Sequence, residues 1–208
     1  RIFLYNIVEV LFFGNIMHVV IDKSYKAKSF NYRQRFLVLH YTAGNFESSL
    51  KELTEGPVSS HYLVPETAMG GERKVFQLVP EEERAWHAGV SAWQDRTNLN
   101  DSSIGIEMVN LGFVDKEGKR KWFDFPEYQI ESVIELCKDI VSRYQIEPTR
   151  VIGHCDIAPG RKVDPGPLFS WKKLYERGIG AWFDEREKRS ACLLYTSPSP
   201  RDATLSRM

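Results

Sequence analysis

Between residues 127 and 144 apolar side chains return every three or four positions: Ile130, Val133, Ile134, Cys137, Ile140, Val141 and Tyr144. Glu131, Glu135, Lys138, Asp139 and Arg143 fall largely on the opposite side, so the pattern predicts an amphipathic helix over Glu127–Tyr144, bounded by Pro126 and Pro148. Earlier in the chain the period changes. Residues 36–39 (FLVL) form a continuous apolar run next to Arg33 and Arg35, the pattern of a strand buried on both faces of a helix-covered sheet, and His40 stands at its carboxyl end. Residues 104–109 (IGIEMV) put Ile104, Ile106 and Met108 on one face of a strand and Gly105, Glu107 and Val109 on the other. Residues 59–64 and 74–79 read as a hairpin whose longer loop holds Pro65 and the Gly70, Gly71 pair, with His61 in a structural role. Asn45 is placed to cap a short helix over residues 46–54, with Phe46, Leu50 and Leu53 on one face. Val151 and Ile152 predict a short strand, and Ser170 caps a closing helix over residues 170–177. Residues 84–103 have no period and predict a long loop, a kind of segment that tends to carry function.

The two ends look different. Residues 1–20 are apolar enough for the hydrophobic segment of a secretory signal, but Asn6, Glu9, Asn15 and His18 interrupt them and no small-residue cleavage site follows. As a membrane span the stretch is too short and too polar, so no transmembrane segment is expected. The first residue is Arg and Met17 is a candidate start, so residues 1–30 are read as an N-terminal extension, part of it non-native. The last residues, CLLYTSPSPRDATLSRM, lack any period and resemble translated sequencing-adapter sequence, so residues 186–208 are expected to be disordered or artefactual. Residues 31–185 remain as a single α/β domain, expected to be monomeric. Lys plus Arg and Asp plus Glu both number 28, which leaves no net field for a polyanion and argues against nucleic-acid binding. Cys137, Cys155 and Cys192 are odd in number and unpatterned, so they do not form a disulfide framework.

The candidate chemistry gathers in residues 153–167, GHCDIAPGRKVDPGP. This loop, stiffened by Pro159, Pro165 and Pro167, carries His154, Lys162 and Asp164. Imidazole and carboxylate are good zinc ligands, and a catalytic zinc takes three protein donors and leaves a fourth position to water. The third donor must come from elsewhere, and His40, at a strand end, is the candidate; the alternative is a core histidine bonded to backbone. Cys155, in a strand-like geometry, would point away from His154. Glu107 sits in an apolar strand, where a carboxylate is costly to bury, so it is either a general base or half of a buried ion pair. Trp86, His87, Trp93 and Asn100 belong to the long loop and are candidates to line a groove for sugar or peptide, unless the two tryptophans simply pin the loop. Together His40, His154 and Asp164 make a zinc set, with Glu107 to move a proton to a leaving nitrogen and Lys162 to stabilise an oxyanion. Such a set points to a metallo-amidohydrolase, with amide hydrolysis as its natural reaction.

The motifs LHYTAGNFESSL, VSSHYLVPE, RAWHAGVSAWQDRTNLNDSSIGIEMVN and IGHCDIAPGRKVDPGPLFSW recur in this order in a known family. Over residues 34–182 the sequence resembles the zinc-dependent N-acetylmuramoyl-L-alanine amidases. It is most similar to the branch that holds an outer-membrane lipoprotein amidase, with the cytosolic anhydro-muropeptide amidase of cell-wall recycling a near relative. Phage amidase-type lysozymes and peptidoglycan recognition proteins are more distant. The resemblance implies a mixed β-sheet flanked by helices with a Zn2+ site at strand ends, His40, His154 and Asp164 as ligands, and Glu107 and Lys162 as catalytic groups. It implies hydrolysis of the bond between N-acetylmuramic acid and L-alanine in peptidoglycan or muropeptides. Some relatives carry a lipidated cysteine and a C-terminal peptidoglycan-binding domain; with no cysteine before Cys137, a lipid anchor is not expected. Periplasm, cell envelope and cytoplasm all stay open. The rival readings are a non-catalytic peptidoglycan-binding module on the same fold, a kind that typically loses a metal ligand, and a zinc peptidase, for which the HExxH helix is missing.

Overall fold

A computed structural model describes residues 7–12 and 15–183, which divide into two compact units, residues 1–32 and 33–208. In the first, β1 (Ile7–Phe12) pairs antiparallel with β2 (Asn15–Val20), Ile7 opposite Val20 and Phe12 opposite Asn15. A stretch read for its overall hydrophobicity is therefore a two-stranded ribbon, in keeping with its β-branched and aromatic residues. The tail expectation for residues 186–208 lies outside the described residues. Among the described residues no helix is long and apolar enough to cross a membrane.

The second unit begins with β3 (Phe36–Tyr41) and α1 (Phe46–Glu55), followed by the hairpin β4 (Tyr62–Val64) and β5 (Phe76–Gln77). The long loop carries a small ribbon, β6 (Ala92–Trp93) with β7 (Arg96–Thr97), and leads into β8 (Ser103–Met108). A second hairpin, β9 (Phe113–Lys116) and β10 (Lys119–Trp122), precedes α2 (Glu127–Tyr144), β11 (Val151–Gly153), α3 (His154–Ile157) and α4 (Trp171–Glu176). Five strands form one mixed sheet in the order β11-β3-β8-β4-β5, in which only β5 runs antiparallel to its neighbour. The α/β class and the helix-flanked mixed sheet match the expectation.

Strand alternation sorts the side chains between two cores. Leu37 and Leu39 of β3, Ile104, Ile106 and Met108 of β8, and Tyr62 and Val64 of β4 meet Ile130, Val133, Ile134, Cys137 and Ile140 of α2 on one face. Each such side chain, fully buried, contributes roughly 1.5–3 kcal/mol. On the other face Phe36, Val38 and Ile152 pack with Ala88, Leu99 and Ile157, and Leu63 packs with Leu53, Phe46 and Leu50 of α1. Asn45 caps α1 as expected, its Oδ1 accepting from Ser48 N at 2.9 Å.

Two expectations are corrected. Ser170 precedes α4 but makes no capping side-chain hydrogen bond. His154 opens the helical turn α3 rather than lying in a loop, because the chain bends as soon as β11 ends.

Candidate metal centre and active site

Sheet register assembles the site. His40 pairs with Glu107 across β3 and β8, and Gly153 pairs with Leu39 across β11 and β3, so His154 emerges beside His40. All three residues stand at the carboxyl ends of parallel strands, where open α/β sheets place their ligands. Asp164 returns to the same point because the chain folds back over α3: Lys162 N donates to Ala158 O and Cys155 N donates to Asp164 O.

Three donor atoms converge there. His40 Nδ1 and His154 Nδ1 lie 2.9 Å apart, and Asp164 Oδ2 lies 3.1 Å from the first and 3.0 Å from the second. All three residues are buried, and among the described residues they are the one group of His, Cys, Asp and Glu that could hold a metal ion. A tetrahedral zinc with ligands at about 2.0–2.1 Å spaces its donors about 3.3–3.4 Å apart, so this triangle is a slightly contracted face of that tetrahedron. The hydrogen bonding agrees. His154 Nε2 lies 3.1 Å from the Ala88 carbonyl, which can only accept, so Nε2 carries the hydrogen and Nδ1 turns a lone pair toward the carboxylate. These residues fit a divalent cation. Cys155 is not among the donors, and the reason differs from the one expected, since it sits on a helical turn rather than a strand.

Burial dominates the electrostatics. It pulls His40 down to about 4, with the neighbouring His154 acting the same way and Asp164 opposing. Asp164 falls well below the usual carboxylate range: burial pushes it up, but its contacts with His154 and His40 outweigh that. Glu107 moves the other way, to about 8, through burial and then the Asp164 charge, with Lys162 opposing. Its Oε1 lies 4.0 Å from His40 Nδ1, its side chain is 14% exposed, and Oε2 has no hydrogen-bond partner among the described residues.

A cleft of about 370 Å³ opens above these groups, lined by Glu107, Lys162, Asp164, Trp86 and His87 among others. Trp86 is exposed at its rim and Lys162 is exposed on its wall. Of the other three loop candidates, His87 also lines the cleft and Trp93 and Asn100 do not. His87 is largely buried, with Nδ1 2.9 Å from His40 Nε2. Trp93 does not line the cleft; its Nε1 donates to Thr149 O and its ring packs on the Phe36 and Val38 core, so it pins the loop. Asn100 does not line it either, because its Oδ1 accepts from His87 N and Ala88 N at 3.1 and 2.7 Å. Sequence reasoning had no means of finding the backbone carbonyl of Ala88 as a partner of His154, since it contributes no distinctive side chain.

Comparison with known proteins bears on the family and the fold. The family model described as N-acetylmuramoyl-L-alanine amidase matches residues 31–167. The chain is 51% identical over 166 residues to N-acetylmuramoyl-L-alanine amidase AmiD of Escherichia coli K12, covering 79% of this chain and 60% of AmiD, so it spans about three fifths of that relative. The structure of Escherichia coli AmiD with the substrate anhydro-N-acetylmuramic acid-L-Ala-D-γ-Glu-L-Lys is 49% identical, with a TM-score of 0.77 over 81% of this chain and 66% of that one. AMPDH3 of Pseudomonas aeruginosa, in complex with anhydromuramic pentapeptide, is 47% identical with a TM-score of 0.77 over 89% and 77% of the two chains. With a family match over most of its length and a donor triangle at the strand ends, the chain belongs to the N-acetylmuramoyl-L-alanine amidase family.

Proposed function

We propose that this chain hydrolyses the amide between N-acetylmuramic acid and L-alanine in peptidoglycan or its soluble fragments, using one zinc ion held by His40, His154 and Asp164. The observation that carries the reading is the convergence of three donor atoms beside Glu107 on the floor of a cleft. The substrate class is taken from AmiD and AMPDH3, whose structures hold anhydromuramyl peptides. Bound zinc would supply Lewis acidity, making water nucleophilic near neutral pH. Glu107 takes the proton of the attacking water at its unpartnered Oε2 and passes it to the alanine nitrogen as the C–N bond breaks. Burial holds its pKa high, at about 8, and a cation at the cluster would lower it and favour the ionised carboxylate that accepts the proton. Lys162, on the cleft wall, offsets the charge that develops on the carbonyl oxygen. Trp86 offers an aromatic face at the rim to sugar or peptide. The products are a lactyl carboxylate on the sugar and a free amine on L-alanine. We assign the catalytic domain to residues 31–185 and treat residues 1–30 as an extension.

The test combines zinc content per chain with mass spectrometry of the products from whole sacculi and from soluble anhydro-muropeptides. Peptides with a free L-alanine amine are expected, and Asp164→Ala should retain no zinc. Glu107→Gln should keep the metal and lose roughly 100- to 10,000-fold in turnover. Turnover near the parent's in that variant would overturn the base assignment. Zinc binding with no peptide released from either substrate would overturn the amidase reading in favour of a binding module.

A further inference from the structure

We propose that His87 is a positioning residue, which fixes the ring hydrogen of His40 on Nε2 and so keeps His40 Nδ1 open to the metal. The inference rests on the reading of His40, His154 and Asp164 as a metal site and extends it to a residue that touches none of the reacting atoms.

The argument starts from a group with no choice. The Leu99 carbonyl can only accept, and Ser103 Oγ lies 2.5 Å from it, so the hydroxyl hydrogen points there. Ser103 Oγ therefore has only lone pairs for His87 Nε2, 3.1 Å away, and that nitrogen must donate. His87 Nδ1 then accepts, and its partner at 2.9 Å is His40 Nε2, which must carry the hydrogen. His40 Nδ1 is left with a lone pair directed at His154 Nδ1 and Asp164 Oδ2. The opposite arrangement fails at both ends. A hydrogen on His87 Nδ1 would force the His40 hydrogen onto Nδ1, into the place of the cation, and would make Ser103 give up its bond to Leu99.

The surroundings hold the ring in this role. His61 stands 5.7 Å away, ring to ring, and its own Nδ1 is occupied by Gly105 N at 3.0 Å. Asn100 Oδ1 accepts from the backbone nitrogens of both His87 and Ala88. Ala88 O in turn lies 3.1 Å from His154 Nε2. One two-residue segment, clamped by a single amide oxygen, thus orients both imidazoles: His40 through the His87 ring, and His154 through the next carbonyl.

Two measurements decide this. Nitrogen-15 NMR of the metal-free parent should find His87 with a bare Nδ1 and a protonated Nε2. In chelator competition His87→Phe, which fills the space without an acceptor, should bind zinc about 10- to 100-fold more weakly, while His87→Asn, which puts an oxygen near the position of Nδ1, should recover most of that loss. Metal-free melting should be similar in the two variants. Ser103→Ala removes the far end of the chain and should weaken zinc in the same direction. A hydrogen found on His87 Nδ1, or zinc affinity equal to the parent's in His87→Phe, would overturn the proposal. A parent that takes up no zinc would overturn the metal reading instead, and the metal-free spectrum would still decide the ring hydrogen of His87.

Discussion

Gly105 occupies the middle of β8, where a side chain would ordinarily strengthen the strand. A Cβ built there would lie 2.5 Å from His87 Cγ, so the imidazole fills the space that any other residue would claim. Gly105→Ala should therefore displace the His87 ring and cost about 1–3 kcal/mol, measured by denaturant unfolding, with weaker zinc retention alongside. Parent-like values for both would mean that the ring can move aside without loss. His40, Glu107 and His154 stood out in the sequence as polar groups at the end of, or inside, apolar runs, where burial needs a chemical reason, and Asp164 stood out as a carboxylate in the proline-stiffened loop that follows. His87 was legible only as a loop residue. Its partners stand 47 and 16 residues away, and a segment without periodicity carries no information about direction.

At the scale of elements, α2 was legible from end to end because seven apolar residues repeat one period and prolines mark both boundaries. The hairpin of β9 and β10 was not, because five of its eight residues are charged and all but Phe113 and Trp122 are exposed, leaving no buried face long enough to produce alternation. The signal that existed was Glu117 with Gly118 between two charged runs, both in the left-handed region that a tight hairpin turn requires. The four residues of α3 are too few to display a helical period. Equally invisible was the carboxylate that ties α2 to the sheet. Glu81 accepts from Tyr62 Oη at 2.7 Å, Tyr144 Oη at 2.8 Å and Arg143 Nη2 at 2.8 Å. Burial alone would raise its pKa, but the bonds from Arg143, Tyr62 and Tyr144 outweigh that and bring it down to about 2. A carboxyl depressed on folding stabilises above its unfolded pKa near 4.5 and loses that contribution as pH falls through the folded value. Thermal melting should thus fall between about pH 4.5 and 2 in the parent, and Glu81→Gln should be less stable at neutral pH yet show a shallower slope across that window. Equal slopes would remove Glu81 from the account of acid sensitivity.

For the folded unit as a whole, the site and the core share the same strands. Leu37 and Leu39 face the α2 core while Phe36, Val38 and His40 face the other way, so β3 cannot slip by one residue without burying His40 under α2 and exposing two leucines to the cleft side. The three proposed metal donors come from β3, from the start of α3 and from the segment that folds back over it, none of which is adjacent in the sequence in a way an unfolded chain would preserve. Zinc should therefore bind the folded state far better than the unfolded one and shift the equilibrium by mass action. With free zinc about 1,000-fold above its dissociation constant the gain is about 4 kcal/mol, which for a chain of this size moves the melting temperature by about 10 °C. Calorimetry with and without chelator should record that drop in the parent and none in Asp164→Ala, which lacks the carboxylate that completes the triangle. His87→Phe should fall between them, because its donors remain but one imidazole is no longer held with its lone pair toward the ion. A parent indifferent to chelator would break the proposed link between sheet register and metal binding, and with it the basis for assigning hydrolysis to these strand ends.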